Sequence, residues 1–288
     1  MPHRRLPDWI KRPIRTDADY GRVLALLRKY HLNTVCRSAR CPNRHECWGS
    51  GTATFMILGE VCSRTCRFCA VKKGTPSPLD PQEPGRIALA AAEMGLRHVV
   101  VTSVTRDDLP DGGSEAFADT IRALRKVLPS ATVEVLTPDF RGVTAWINQV
   151  LDARPDVFNH NLETVRRLQP ALRPQASYDT SLSVLRHAAS RSGAVAVKSG
   201  LMLGLGERDD EIQIALQDLL ASGCRRVTLG QYLAPHREAW PVERFITPDE
   251  FTVLEQKALA LGFEDVAAGP LVRSSYQAER MMQEAPKG

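Results

Sequence analysis

From about residue 53 onward, short apolar runs rich in β-branched residues alternate with longer segments of helical period. This alternation predicts repeated strand and helix units whose strands lie parallel in one sheet. The predicted strands are the runs ATFMILG, HVVVTSV, ATVEVLTP, DVFNHNLE, AVAVKSGLMLG and RVTLGQY. The predicted helices span about residues 84–94, 114–128, 142–152, 178–190, 208–222 and 248–261. Ser114 and Thr247 are predicted helix caps, with Pro248 at a first helical position.

Six such units are too few for a closed eightfold barrel, so we expect an α/β fold built as a partial (β/α)6 TIM-like barrel. A lateral opening would admit a substrate attached to another protein. The barrel is expected over residues 51–247, with an N-terminal extension (1–50) and a C-terminal extension (248–288). Chemistry is expected at the carboxyl ends of the strands. Polar residues occur there: Thr102, Ser103, Thr137, Asn161, Glu163, Lys198 and Gln231.

The charge pattern limits the kinds of partner. The net charge of +5 is spread along 288 residues, without the polybasic segment of a nucleic-acid or membrane-surface binder. No apolar run reaches the roughly 18 residues of a membrane span, and the start lacks the apolar block of a secretory signal. Pro2, Pro7 and Pro13 would break the amphipathic helix of an organelle transit peptide. We therefore expect a cytoplasmic protein with no nucleic-acid or membrane partner. A mildly acidic protein would fit its charge as a binding partner.

Six of the seven cysteines fall within 34 consecutive residues. They form two sets: the first triplet is Cys36, Cys41 and Cys47, and the second triplet is Cys62, Cys66 and Cys69. Disulfide frameworks are typical of shorter secreted chains with pairable spacing, so this clustering indicates metal binding. The seventh, Cys224, follows a helical run and is expected to be a small buried thiol.

The number of thiols in each triplet bears on the kind of metal. Structural zinc takes four ligands, usually with paired CxxC spacing, and neither triplet alone supplies four, although His45 could complete the first. An iron-sulfur cluster of four irons takes one thiolate on each iron. Three cysteines would therefore leave one iron open for another ligand.

The second triplet, in CSRTCRFC after a predicted strand, resembles the CxxxCxxC motif of the radical S-adenosylmethionine (SAM) superfamily. Phe68, the aromatic residue before the last cysteine, also fits. The segment GLMLGLGE from Gly200 resembles the superfamily element GxIxGxxE near the adenine, with Met202 in the Ile position. The resemblance implies a radical SAM barrel in which a 4Fe-4S cluster binds the amino and carboxylate groups of SAM and cleaves it to a 5'-deoxyadenosyl radical.

Further polar residues are candidates for contacting SAM. Asn161, Glu163 and Lys198 could bind its ribose, amino and carboxylate groups through charge-assisted hydrogen bonds. Glu163 and Lys198 could instead pair with each other inside the barrel mouth. Additional pocket candidates are Arg173, Tyr178, His160 and His236.

The first triplet, in TVCRSARCPNRHECW, resembles the auxiliary-cluster motif of lipoyl synthases, as does RSSYQA from Arg273 to Ala278. LPDWIK, ATFMILGEVCSRTCRFCAV, TRDDLPDGG, FNHNLETV and YLAPHREAWPV extend this resemblance over nearly the whole chain. In that family a serine of RSSY is the fourth ligand of the auxiliary cluster. The resemblance implies Ser275 in this role, with Ser274 as the alternative.

The resemblance implies a sulfurtransferase with two 4Fe-4S clusters and SAM as cofactors. It would insert two sulfur atoms at C6 and C8 of a protein-bound octanoyl-lysine. In each of two rounds, the deoxyadenosyl radical removes a hydrogen and the carbon radical attacks a sulfide of the auxiliary cluster, which is consumed. The implied partners are octanoylated lipoyl carriers (E2 lipoyl domains and the glycine cleavage H protein), reduced ferredoxin or flavodoxin, and an iron-sulfur carrier for cluster repair.

Three alternatives remain open at this point. A radical SAM enzyme acting on tRNA should show an RNA-binding appendage with a basic face, and none is evident. Sulfur insertion into dethiobiotin would not explain the first triplet together with RSSY. A two-cluster electron carrier of the ferredoxin type supplies a full set of cysteines in a much shorter chain.

Overall fold

The computed structural model describes residues 5–11, 18–49, 53–191, 195–275 and 278. All six predicted runs form strands in the structure. A short strand pair and one further strand are also present. In chain order the strands are β1 (Thr54–Ile57), β2 (Val61–Cys62), β3 (Lys72–Lys73), β4 (His98–Ser103), β5 (Thr132–Leu136), β6 (Val157–Asn159), β7 (Ala196–Leu203), β8 (Arg226–Gln231) and β9 (Asp265–Gly269).

The main sheet is parallel and follows chain order, β1-β4-β5-β6-β7-β8-β9, while β2 and β3 form a separate pair. In the described part of the chain, β1 and β9 lie at opposite edges, so the sheet stays open. Parallel strands in chain order, each followed by a helix, are the arrangement of a barrel wall. The predicted α/β partial barrel is therefore confirmed.

Helices connect the strands, and three further helices form the described region before β1. In chain order they are α1 (Ala18–Lys29), α2 (Val35–Ser38), α3 (Arg44–Gly49), α4 (Glu83–Met94), α5 (Ser114–Val127), α6 (Thr144–Asp152), α7 (Gln169–Leu172), α8 (Tyr178–Ser190), α9 (Asp209–Ala221) and α10 (Pro248–Leu261). Short 3-10 turns span Asp8–Ile10 and Phe140–Gly142. The six predicted helices correspond to α4, α5, α6, α8, α9 and α10, with bounds within two residues of the expected ones.

The sheet has one strand more than the six predicted. Residues 265–269 form β9, which pairs in parallel with β8 along five positions. The sequence DVAAG is short and only partly buried, so its periodicity is weak. The barrel wall therefore continues past residue 247 through α10 and β9, and the C-terminal segment that follows starts from the last strand of the sheet.

The two predicted helix caps have different outcomes. The hydroxyl of Thr247 accepts from the Glu250 backbone amide and the Glu250 carboxylate reciprocates, forming a capping box before Pro248. The prediction for Ser114 is wrong, because Gly113 (φ 87°) is the cap residue. Ser114 is instead buried in the first turn and donates to Gln149 Oε1 at 2.6 Å. Its side chain therefore joins α5 to α6.

The central strands have one polar and one apolar face. Register places Glu134, Asn159, Lys198 and Thr228 on the same side of β5 to β8, and these side chains form the polar face. The alternate positions are apolar, buried residues such as Val133, Val135, Phe158, Val197, Val227 and Leu229. A substrate can bind at a polar face that neighbouring helices do not cover.

Cys224 is a buried residue of the fold, as predicted. It is fully buried before β8, and its thiol donates to the Arg226 carbonyl oxygen at 3.2 Å. Burial raises the pKa of this thiol to about 12, so it stays protonated and apolar in character. Among the described residues, no helix is both long and apolar enough to cross a membrane.

Candidate active site

The second triplet lies in a loop that follows the first strand of the sheet. β1 is followed by β2, which ends at Cys62, and the remaining two cysteines follow without regular structure. Ser63 fixes the start of this loop: its backbone amide and hydroxyl both donate to the Thr105 carbonyl oxygen at 3.0 Å. The Ser63 hydroxyl also accepts from the Asp107 amide at 3.0 Å. The loop is thereby joined to the end of β4.

Arg64 anchors the loop through two carboxylates. Its guanidinium binds Asp107 with two hydrogen bonds of 2.7 and 2.9 Å and Asp139 with two of 2.7 and 2.8 Å. The Arg64 and Asp139 side chains are buried, at 4% and 2% exposed. Burial favours the neutral form of Asp139, but the Arg64 charge overrides it and lowers the pKa of Asp139 to about 2. The arrangement fixes the loop to the ends of β4 and β5.

The far side of the loop is held by two other segments. The Thr65 amide and hydroxyl both donate to Gln175 Oε1 at 2.9 Å. The Arg67 amide donates to the Leu172 carbonyl oxygen at 2.8 Å, and the Arg67 guanidinium lies 4.7 Å from the Trp240 ring centroid. Every residue between Cys62 and Cys66 thus has a partner outside the loop, which presents the thiols in one fixed arrangement.

The three thiols of the second triplet come from one short loop, in which the Cys69 amide donates to the Cys66 carbonyl oxygen at 3.3 Å. Backbone amides donate to the sulfur atoms: Thr105 to Cys62 at 3.4 Å and Val71 to Cys69 at 3.5 Å. Burial raises the pKa of Cys66 and raises that of Cys69 to about 11. Buried thiols deprotonate when a metal binds, and amide donors then stabilise the thiolate. This donor set fits a cluster with one iron left open.

Charged and polar side chains face the second triplet from β6 and the segment after it. Arg173 acts on both the Cys66 thiol and the Glu163 carboxylate. Asn161 Nδ2 donates to Glu163 Oε1 at 3.3 Å. Burial raises the pKa of Glu163, and Arg173 opposes this rise. Glu163 has a positive φ of 73°, and strained backbone of this kind clusters at functional sites.

Several buried polar atoms near these residues have no hydrogen-bond partner within the described chain. Buried polar groups in folded proteins are normally paired, so a group of orphans indicates a ligand or water. The orphans at this end of the sheet are Thr137 Oγ1, Asn159 Oδ1, His160 Nε2 and Arg173 Nε. They lie at or after the ends of β5 and β6, and the loop of the second triplet is joined to the end of β5 through Asp139. Donors and acceptors in this number fit a polar cofactor such as SAM.

Lys198 lies in a different environment from the other SAM candidates. It is the third residue of β7, only 1% exposed, and its ammonium pairs with Glu134 at 3.1 Å rather than with Glu163. The predicted alternative of a Glu163–Lys198 pair is therefore wrong. Burial alone would raise the pKa of Glu134, but Lys198, His98 and Asn159 lower it to about 2. The pair lies on the polar face, below the strand ends.

The glycine-rich segment GLMLGLGE begins on β7 and continues into the turn that follows this strand. The Met202 amide donates to the Glu163 carbonyl oxygen at 2.8 Å, so Met202 lies beside Glu163. Gly200 is required for close approach, because an added Cβ would lie 2.9 Å from Asn161 Oδ1. Phe68 and Met202 are half-buried and pack against the core. Of the further pocket candidates, Tyr178 donates to Asp218 at 2.9 Å, His160 binds the Thr137 carbonyl oxygen at 2.9 Å, and His236 is exposed.

The first triplet lies before β1, with Cys36 on α2, Cys47 on α3 and Cys41 in the turn between these two short helices. Thr34 caps α2, which carries Cys36, and its hydroxyl accepts from the Arg37 amide at 3.3 Å. The Cys41 amide donates to the Cys36 carbonyl oxygen at 3.1 Å, so the chain turns tightly between them. Cys47 follows on α3. Burial raises the pKa of Cys36, and Cys41 raises it further.

The C-terminal segment reaches the same region from the other end of the chain. Asn43 Nδ2, between Cys41 and Cys47, donates to the Leu271 carbonyl oxygen at 2.6 Å. The Thr54 hydroxyl donates to Ser275 Oγ at 2.9 Å. Tyr276 and Gln277 of the RSSYQA motif lie outside the described residues. The structure thus brings Ser275 to the side of the sheet where the first triplet lies.

The two serines of RSSY point to different neighbours. Ser274 Oγ donates to Asn161 Oδ1 at 3.2 Å and accepts from Asn159 Nδ2 at 3.3 Å. Ser274 therefore faces Asn159 on β6 and the SAM candidate Asn161 that follows it, whereas Ser275 faces Thr54 on β1. This division favours Ser275 over Ser274 as a ligand near the first triplet.

Arg273 adds a cation to this region. Burial lowers the pKa of its guanidinium, and the nearby Cys41 opposes this effect. Its Nη1 donates to the Val272 carbonyl oxygen at 2.6 Å. The donor set of three thiols, one hydroxyl and an adjacent arginine fits an anionic iron-sulfur cluster.

The geometry of single-metal sites differs from that of a cluster. No three His, Cys, Asp or Glu side chains within the described ranges converge tightly enough to hold one metal ion. His45, the candidate fourth zinc ligand, has its ring stacked on Tyr20 with centroids 5.0 Å apart. A four-iron cluster spreads its thiolates over separate irons and so needs wider spacing.

Sequence reasoning missed the residues that support these thiols. Arg64, Asp107 and Asp139 hold the loop, and Thr54 contacts Ser275, yet none was singled out. Asp107 and Asp139 follow the predicted strands β4 and β5, where parallel strands place functional groups. An arginine between two candidate ligands, with acidic residues after neighbouring strand ends, was the available signal.

Comparisons with known proteins identify the class first. A model of the radical SAM superfamily matches residues 56–219, more than half of the chain and including the second triplet. Fold, cysteine motif and match together define a radical SAM enzyme, which implies SAM and a 4Fe-4S cluster. A model of the N-terminal domain of lipoyl synthase of the radical SAM family matches residues 1–41.

Curated relatives give the family. A lipoyl synthase of Rubrobacter xylanophilus is 51% identical over 282 residues, covering 98% of this chain and 88% of the relative. One of Halorhodospira halophila is 52% identical over 282 residues, covering 97% and 84%. One of Chlorobium limicola is 51% identical over 277 residues, covering 96% and 94%. The chain belongs to the lipoyl synthase family.

Solved structures with low identity share the fold. Methylornithine synthase has a TM-score of 0.55 and 17% identity, with 91% of this chain and 85% of that chain covered. SuiB of Streptococcus suis, bound to its precursor peptide, has a TM-score of 0.58 and 10% identity, with 86% and 52% covered. These likenesses support the partial-barrel architecture.

Proposed function

We propose that this enzyme inserts two sulfur atoms, at C6 and C8, into an octanoyl chain carried on a protein lysine. One observation carries the proposal: two separate cysteine triplets are present, and the fold brings Ser275 from the other end of the chain toward the first of them. An enzyme that only cleaves SAM needs one such site. A second three-thiol site closed by a hydroxyl suits a sulfur donor.

The substrate explains why side-chain chemistry is insufficient. An unactivated methylene has no acidic proton and no leaving group, so a cofactor must cleave its carbon–hydrogen bond. When bound, the cofactors supply a 5'-deoxyadenosyl radical at the second triplet and sulfide at the first. The protein's own task is to hold both groups and the acyl chain at fixed positions.

The two donor sets have different roles in the proposal. Cys62, Cys66 and Cys69 would hold the SAM-cleaving cluster, in the loop that Arg64 fixes to β4 and β5. The first triplet and Ser275 would hold the auxiliary 4Fe-4S cluster: Cys36, Cys41, Cys47 and Ser275. A serine oxygen suits the auxiliary cluster because one iron must leave when the cluster gives up sulfur.

Residues around β6 and β7 would bind SAM. Asn161 and Glu163 lie together and face Arg173, which also acts on Cys66. Phe68 and Met202 would border the adenosine with apolar surface. Lys198 remains a candidate from its strand, although its contact with Glu134 suits a role in orienting Asn159, which binds the same carboxylate at 2.8 Å.

The proposal extends to partners and location. Octanoylated lipoyl domains of E2 subunits and the glycine cleavage H protein would be the substrates, admitted through the open side of the sheet. Reduced ferredoxin or flavodoxin would supply electrons, and an iron-sulfur carrier would rebuild the auxiliary cluster. We place the reaction in the cytoplasm, without nucleic-acid or membrane partners.

Mass spectrometry tests the activity directly. The holoenzyme, SAM, a strong reductant and an octanoylated lipoyl domain are incubated without oxygen, and the modified lysine is analysed. We expect the addition of two sulfur atoms together with deoxyadenosine. Deoxyadenosine without sulfur addition would contradict the substrate assignment, and the absence of both would point to an electron carrier.

A further inference from the structure

Thr54 contacts both halves of the proposed auxiliary site. Its hydroxyl donates to Ser275 Oγ at 2.9 Å across 221 residues of sequence. Its backbone lies beside the Cys36 thiol, and the next residue in the strand pairs with the cap of the helix that carries Cys36. Thr54 itself is only 6% exposed. One buried residue therefore joins the N-terminal and C-terminal parts of the donor set.

The surrounding structure fixes the position of Thr54. It is the first residue of β1 and pairs with Val100 on β4. The next residue, Phe55, forms a bridge with Thr34, the residue that caps the Cys36 helix. The Thr54 hydroxyl is thus presented from the rigid edge of the sheet, which is where a precise positioning contact is best built.

Ser275 needs such a contact more than the cysteines do. The segment after β9 is irregular, and the neighbouring Ser274 is turned toward Asn161 with a positive φ of 25°. A serine hydroxyl is a weak ligand that must give up its proton to bind iron well. A donor aimed at that oxygen stabilises the charged form through a charge-assisted hydrogen bond.

We propose that Thr54 is a positioning residue for the auxiliary cluster: its hydroxyl holds Ser275 Oγ in place beside Cys36 as the fourth ligand. The inference rests on the proposed function, because it presumes that the first triplet binds a cluster. Thr54 touches neither SAM nor the substrate in this account. Its effect is confined to how firmly the serine side of the auxiliary cluster is held.

The test isolates the auxiliary site by working in full-length protein with C62A, C66A and C69A, so that bound iron belongs to the first triplet. Six proteins are reconstituted without oxygen: this parent and its T54V, T54S, S275A, S275C and T54V/S275C derivatives. Iron content and the rate of iron loss to a chelator are measured for each. Valine keeps the branched shape of threonine but lacks the hydroxyl donor, and serine restores that donor.

The parent should hold about four irons per chain. T54V should lose iron about tenfold faster, the loss expected for a missing hydrogen bond to a charged group, and T54S should match the parent. S275A should also lose iron faster. In the S275C background, T54V should have little effect, because a thiolate binds iron without this donor.

Three results would overturn the inference. T54V could retain iron as firmly as its parent, or it could accelerate iron loss equally in the Ser275 and S275C backgrounds, which would indicate a general effect on folding. Third, both T54V and S275A could bind iron as the parent does, which would show that Ser275 is not a ligand. A parent that binds no cluster would instead contradict the proposed function itself, and with it this inference.

Discussion

The two cysteine triplets use the same ligand atoms but are supported in different ways. The second triplet lies in a loop that is held on one side by Arg64, bound to carboxylates after β4 and β5, and on the other by Thr65, bound to Gln175 after α7. The first triplet lies on two short helices and the turn between them, and its proposed fourth ligand, Ser275, comes from the chain's other end. The barrel builds one site, whereas two terminal segments must meet to build the other.

This difference suits the proposed roles, in which the second triplet keeps its cluster and the first holds a cluster that is consumed. A loop with many hydrogen bonds keeps its cluster through many turnovers, since each contact resists local opening. A site closed by a peripheral segment can open without disturbing the sheet. Each site nevertheless has a nearby arginine, Arg173 acting on Cys66 and Arg273 acting on Cys41, so charge compensation is common to both.

The largest predicted effect separates the two triplets by chemistry. C62A should abolish SAM cleavage, because the open iron that binds SAM is lost. C41A should leave deoxyadenosine formation intact and block sulfur insertion. Deoxyadenosine and lipoyl product are measured side by side, with each variant shown to retain its other cluster. Equal loss of both products in both variants would refute the division of roles.

The next effect concerns the anchor of the second triplet. R64L should leave the buried Asp139 without its cation, a change that costs about 3–5 kcal/mol when a buried pair loses one partner, whereas Asp107 keeps its contact with Arg141. Retention of the SAM-cleaving cluster should fall while the auxiliary cluster remains. R122L, at an exposed arginine of α5, is the matched control. Equal iron loss from both sites in R64L would show a general folding defect.

A smaller effect should appear at the first triplet. In G230A the added Cβ would lie 2.2 Å from the Val272 carbonyl oxygen, so the segment carrying Ser275 must shift. Overpacking of this kind costs about 1–3 kcal/mol. Auxiliary iron should be lost faster, with SAM cleavage preserved. G85A, where nothing lies within 4 Å of the added atom, should behave as the parent. Unchanged auxiliary iron in G230A would contradict the placement of this segment.

The smallest effect acts on the sheet that both sites share. The pKa of Glu134 is lowered from its usual 4.5 to about 2, so its ionisation stabilises the fold above pH 4.5 and this contribution is lost as pH falls toward 2. Between pH 5 and pH 3 the cluster-free protein should lose stability on the order of 1–2 kcal/mol from this group. Urea unfolding measures it. The double variant E134L/K198M should lose less over that range, and an identical loss would contradict the assignment.

The sequence predicted the local features well. Six strands and six helices follow from periodicity, and the cysteine spacing identified both triplets. The missed features join distant residues: Arg64 reaches Asp139 across 75 positions, and Lys198 reaches Glu134 across 64. Periodicity predicts which face of a strand or helix a residue lies on, but it does not predict which distant residue it contacts there. β9 was missed because its five residues are only partly buried and carry weak periodicity.

The most direct test of the account counts clusters by site. Iron and sulfide are determined, with Mössbauer spectra, in the anaerobically reconstituted protein and in two variants, C36A/C41A/C47A and C62A/C66A/C69A. Two independent sites predict about eight irons in the parent and about four in each variant, as 4Fe-4S clusters. About four irons in the parent, or zinc bound at either triplet, would contradict the account.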